Sequence, residues 1–259
     1  MSVLSYLSDL SSRLVITQDE RISIAVSIGF LRNNLSNWEH SRDIVQQFVF
    51  GSYDRETILP RWADADSDVD YMIVFRNSNN MQPQTFLNWL RSFTEKYYSR
   101  SICHQSFPTV AVELSHIKFE LVPAVNTWGY MIPDRSTYYS RWQSTDPKGL
   151  KQRITTANIY NGNVRPLIRI MKYWNALNGK PYASFELEQM VANYLFYGQS
   201  NLEGCFYLFV ENLPVRYGYS QVKKSAINSL KYKINLIREN KRLGDNLRAE
   251  YLIKSIFEK

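Results

Sequence analysis

The octapeptide Asp68-Val69-Asp70-Tyr71-Met72-Ile73-Val74-Phe75 constrains the fold of this chain most strongly. It begins with acids flanking one apolar residue and then becomes wholly apolar. That pattern suits a strand buried along most of its length and polar on one face at its start. Side chains two apart on a strand share a face, so Asp68 and Asp70 point together while Val69 enters the core. In Lys118-Phe119-Glu120-Leu121-Val122, the same alternation sets Lys118 and Glu120 against Phe119 and Leu121. Upstream, Gln47-Phe48-Val49-Phe50 reads as a short strand ending at Gly51-Ser52. Glycine lets backbone approach a phosphate closely, and amides at a helix start point at an anion. The hydroxyl of Ser52 can add a hydrogen bond.

Asp68, Asp70 and Glu120 make a hard oxygen set suited to two Mg²⁺ ions, with Mn²⁺ as the alternative. Such a pair serves to activate an attacking hydroxyl and stabilise departing pyrophosphate. The residues therefore point to nucleotidyl transfer from a nucleoside triphosphate. Glu113 is the rival third carboxylate, and Glu120 is preferred because its strand face is more clearly polar. Asp64 and Asp66 read as loop residues before the strand, either solvated, which is the expected role, or supporting the acid pair from behind. Arg55 is placed either on a phosphate or in a surface salt bridge.

The chain of 259 residues is 44% hydrophobic, ample for one large domain or two lobes. Residues 1–147 hold 13 Lys+Arg against 16 Asp+Glu, a balance of −3, and residues 148–259 hold 18 against 8, a balance of +10. An acidic half beside a basic half suits metal on one wall and polyphosphate on the other. Cys103 and Cys205 have no metal-ligand spacing, and His40, His104 and His116 are scattered. No apolar run approaches 18 residues, so no membrane partner is expected, and a cytoplasmic location is.

Helix-type spacing covers 3–15, 19–38 and 84–99, and strands are expected at 108–114 and 116–123 with an irregular stretch after Pro123. From Asp146 the pattern is helical, with clear stripes at 164–177 and 184–199 and basic helices at about 221–240 and 246–258. The expected class is α+β. A lobe with a small mixed sheet (1–145) precedes a helical lobe (146–259), and the active site lies in the cleft between them. Arg165, Arg169 and Lys172 fall opposite the apolar stripe of their helix, on a face that is either solvated or turned to phosphate. Lys172 suits the β or γ phosphate as a flexible point charge. Ser184 is an expected N-cap that can also touch phosphate, with Glu186 favouring the helix dipole. Tyr182 is a base-stacking platform or a core residue.

The segments GSYDRET, SDVDYMIVF, KFELVPA, IRIMKYWN and YASFELEQMVANY occur in this order. Together they resemble the cyclic GMP-AMP synthase and oligoadenylate synthase branch of the DNA-polymerase-β-like nucleotidyltransferases. Within it, the bacterial anti-phage cyclic-oligonucleotide synthases of CBASS systems are the nearest in pattern, over roughly 45–200. The resemblance implies that Gly51 and Ser52 bind the donor triphosphate, that Asp68, Asp70 and Glu120 bind two Mg²⁺, and that Lys172 and Ser184 contact donor phosphates. One departure is Glu120, where the family usually has Asp. The zinc insertion of animal DNA sensors is absent from the sequence. The expected activity is condensation of nucleoside triphosphates into a cyclic di- or trinucleotide, or a short oligonucleotide, that a separate effector protein reads. Transfer to an RNA end or a protein side chain stays open, as does a nucleotide-binding module without turnover. Nucleic acid is an admissible partner and not a required one.

Overall fold

Ser2 accepts a hydrogen bond from the Ser5 amide (3.0 Å) and starts helix α1 (Val3–Arg13). The computed structural model describes residues 1–77, 79–106, 108–137 and 141–258. Two compact units divide them: Ile16–Arg61 with Ala65–Lys151, and Met1–Val15 with Trp62–Asp64 and Gln152–Lys259. The expected division at 145/146 thus differs at both ends, because α1 belongs with the C-terminal helices and the sheet unit runs on to Lys151.

The sheet unit opens with a capping box. Thr17 accepts from the Glu20 amide while Glu20 accepts from the Thr17 amide (2.6 Å), and α2 (Gln18–Ser36) follows. Its Ile24, Ile28, Leu31 and Leu35 are buried, and Ile22, Val26 and Phe30 are exposed on another face. Strand β1 (Ile44–Phe50) leads into the single-turn helix α3 (Gly51–Asp54), then β2 (Asp68–Phe75). Helix α4 (Pro83–Tyr97) has Pro83 in its first turn, where a missing amide costs nothing. Strands β3 (Ile102–Ser106), β4 (Thr109–Glu113), β5 (Lys118–Asn126), β6 (Tyr130–Pro133) and β7 (Trp142–Thr145) complete a mixed sheet. The order is β1-β2-β5-β4-β3, with β6 on β5 and β7 on β6. Only β2 and β5 pair in parallel among the described strands.

The stretch after Pro123, expected to be irregular, is strand. Pro123 sits opposite Ile73 of β2, past the last β4 partner at Leu121 and before the first β6 partner at Val125. Proline is tolerated where one edge of the strand carries no ladder.

One face of the sheet packs Val69, Tyr71, Ile73, Phe75, Phe119 and Leu121 under α2 and α4, whose Phe86, Leu90 and Phe93 fill the layer. The buried Tyr71 hydroxyl donates to Gln47 Oε1 (2.8 Å) and accepts from Arg32 Nε (3.3 Å), so its polar end is satisfied. The other face carries a smaller cluster of Met72, Val74 and Ala124, flanked by Phe48, Phe50 and Tyr130. The acids at the start of β2 lie on this second face, in line with Met72 and Val74.

The helical unit holds α1, most of α5 (Gly149–Tyr160), α6 (Val164–Leu177), α7 (Ser184–Ala192), α8 (Leu202–Glu211), α9 (Gln221–Arg242) and α10 (Asn246–Phe257). Asn201, Ser220 and Asp245 cap α8, α9 and α10. The α1 residues Val3, Tyr6, Leu7 and Leu10 are buried, and α1 packs on α6, α8 and α10. That burial explains why α1 leaves the sheet unit. Helix α7 ends at Ala192, short of the expected 199, with Leu195 and Tyr197 exposed beyond it. Among the described residues no helix is long and apolar enough to cross a membrane.

Candidate active site

The β2–β5 register decides which side chains meet. Asp68 pairs with Lys118 and Asp70 with Glu120, in parallel. Residues in register on adjacent strands present side chains to the same face, so three acids and one lysine gather on one patch. The Lys118 ammonium lies 3.1 Å from Asp68 Oδ2 and 3.0 Å from Glu120 Oε1. Burial opposes its charge, but the Asp68 and Glu120 carboxylates outweigh that and push its pKa up to about 12. Thr109, buried at the start of β4, donates to the Ser106 carbonyl, with Glu120 Oε2 3.4 Å from the same hydroxyl. Across the β4 ladder Glu120 faces Ala111, while Glu113 stands exposed opposite Lys118.

Asp70 is turned toward Gly51. Gly51 has φ +72°, and a Cβ added there would lie 1.7 Å from Asp70 Oδ2. Two requirements thus converge on glycine: a left-handed backbone and space for a carboxylate. The turn behind it is pinned, since the Ser52 carbonyl accepts from the amides of Thr57 (2.9 Å) and Ile58 (3.1 Å). Arg55 is buried. The nearby Asp54 pairs with Lys151 at 2.7 Å.

The expected three-carboxylate metal cluster is not closed. Among the described residues, no group of three or more His, Cys, Asp and Glu side chains is arranged to hold an ion. The reason is local: Lys118 takes up Asp68 and Glu120, and Asp70 lies against Gly51. The donor set nonetheless fits a hard divalent cation. Its acids share one face, and an ammonium already stands in as the positive charge between two of them.

In the helical unit the structure corrects several expectations. Lys172 is not on a solvated face; it is buried and pairs with the fully buried Glu188 at 3.3 Å. Ser184 is the first residue of α7 rather than its cap, which is Ala183 with no side-chain cap bond. The start of α7 is held by Asn175, whose side chain donates to the Tyr182 carbonyl (2.9 Å) and accepts from the Tyr182 amide (2.9 Å). Tyr182 itself is a core residue, with the Lys223 ammonium 3.7 Å from its ring centroid. Arg165 donates to Thr155 Oγ1 (3.2 Å). Asp64 is not simply solvated, since it pairs with Lys180 at 2.8 Å.

The parallel strand pair thus presents its acids beside a Gly–Ser turn, in a mixed sheet under two helices. The model of the Second Messenger Oligonucleotide or Dinucleotide Synthetase domain matches residues 1–158, and the chain belongs to that family. A cyclic AMP-AMP-AMP synthase of Acinetobacter sp. is 28% identical over 192 residues, which cover 70% of this chain and 54% of that protein. A probable cyclic nucleotide synthase of Bacillus cereus is 32% identical over 164 residues, covering 57% and 48%. The chain spans about half the length of the curated relatives it matches. Among solved structures, Escherichia coli MS115-1 CdnC with ATP superposes with a TM-score of 0.72 at 13% identity, covering 100% of this chain and 99% of that one. The Bradyrhizobium diazoefficiens CD-NTase CdnG in complex with GTP gives 0.72 at 9% identity, covering 96% and 97%. At such identities the likeness establishes the fold.

Proposed function

We propose that the chain condenses nucleoside triphosphates into a cyclic di- or trinucleotide, or a short oligonucleotide, with release of pyrophosphate. The product would serve as a second messenger for a separate effector protein in anti-phage defence, in the cytoplasm. One observation carries the reading: Asp68 and Glu120 share a single ammonium, in a register that sets Glu120 beside Asp70. The family is one of metal-dependent nucleotidyltransferases. Asp68, Asp70 and Glu120 would hold Mg²⁺, which when bound supplies Lewis-acid polarisation of phosphoryl oxygens.

The chain's own residues do the rest. Gly51 offers an approach free of a side chain, and Ser52 a hydroxyl, to the donor triphosphate. The acids orient the acceptor so that its 2′ or 3′ hydroxyl oxygen bonds to the α-phosphorus as the bond to pyrophosphate breaks. The hydroxyl proton passes to a carboxylate of the set. Ser184 and Lys172 would contact donor phosphates. Transfer to an RNA end is the second reading, favoured by the +10 balance of residues 148–259.

Incubation with the four labelled ribonucleotides, a divalent ion and no acceptor, read by mass spectrometry, tests both. A cyclic or oligomeric product supports the first reading, and product only with added RNA supports the second. Asp70→Ala should abolish product with the fold intact. Undiminished yield in that variant would remove the site assignment.

A further inference from the structure

Lys118 is the one side chain of the acidic patch to which the strand pattern alone gives no task. Its ammonium bridges Asp68 and Glu120, the two carboxylates flanking it on the same face. The lysine side chain is only partly buried, at 22% exposure, and sits on a flexible four-carbon stem. It can therefore withdraw toward water, unlike a lysine sealed in a core.

The ammonium already supplies positive charge between Asp68 and Glu120, so a divalent ion seated on both must displace it or share them with it. A second ion with the ammonium still in place would set like charges side by side, a cost that an incoming triphosphate would offset.

We propose that Lys118 is a resident cation that competes with divalent metal for Asp68 and Glu120. Without nucleotide, the protein then holds one divalent ion where its three carboxylates alone would hold two. Lys118 is in this sense a positioning residue, and its role rests on the reading of Asp68, Asp70 and Glu120 as metal ligands.

The test is Mn²⁺ binding to the nucleotide-free protein, read by loss of the free-ion paramagnetic resonance signal. Wild-type protein should bind one ion. Lys118→Met should bind two, with the first held about tenfold tighter, and Lys118→Gln should do the same if the methionine variant folds poorly. Glu120→Gln in the Lys118→Met background should return the stoichiometry to one. Unchanged or weaker Mn²⁺ binding in both Lys118 variants would overturn the inference, provided Asp70→Asn still weakens binding. If neither Asp70→Asn nor Glu120→Gln alters Mn²⁺ binding, the ligand assignment itself fails and takes the inference with it.

Discussion

Each unit of this protein sets a lysine against carboxylate, and the two settings differ in kind. In the helical unit, Lys172 and Glu188 join α6 to α7 at 6% and 0% exposure. In the sheet unit, Lys118 meets Asp68 and Glu120 at 22%, 28% and 20%. A buried pair is costly to form and costlier to break, because each partner would leave the other charged and out of water. A half-open cluster can exchange its cation with solvent. Burial, more than the residue types, separates a contact that holds helices together from one whose cation water can reach.

Breaking the buried pair should have the largest effect on stability. Glu188→Ala should destabilise the protein by about 3–5 kcal/mol, seen as a lower urea midpoint. Lys172→Met with Glu188→Leu should recover most of that loss, since apolar replacement of a buried pair is often neutral. The double variant also sharpens the comparison. If it is stable yet inactive, Lys172 reaches substrate; if it is stable and active, the pair is purely structural. In the open cluster, Asp70→Asn keeps shape and removes charge. Product yield should fall on the order of 10²–10³-fold, with thermal unfolding little changed.

The contrast between the two lysines also marks what the sequence could disclose. The acids of β2 were legible because strand alternation fixes their common face from local pattern alone. The bounds of α6 were legible because Leu167, Ile170, Met171 and Trp174 form one stripe. The burial of Lys172 was not, because its partner lies sixteen positions on and a periodicity count treats every lysine as polar. Lys118 could be put on the right face, but its place beside Asp68 depends on a non-local parallel register. Strands β3, β6 and β7, with sequences ICHQS, YMIP and WQST, have no sustained apolar alternation and owe their conformation to pairing. In α2 a second, exposed apolar stripe blurs the period.

Gly51→Ala probes the link between turn and acid with an intermediate effect. The left-handed backbone costs an alanine about 1–2 kcal/mol, and its Cβ would displace the Asp70 carboxylate. Activity should therefore fall further than in a variant of equal stability loss made under α4, such as Leu90→Val. Equal falls in the two would mean that Gly51 serves the backbone alone.

The smallest effect is expected at Glu113, the rival acid. It shares the face of Glu120 but stands exposed at the end of β4, opposite Lys118 rather than Asp70. An exposed carboxylate there is screened by solvent and has no register partner among the acids. Glu113→Gln should change product yield by no more than about twofold, within the range of ordinary surface substitutions. Glu120→Gln should behave like Asp70→Asn. If the two glutamates exchange roles, with Glu113→Gln inactive and Glu120→Gln active, the cation site lies one ladder further toward β4. The contrast between open and buried lysines would then have to be redrawn around Glu113.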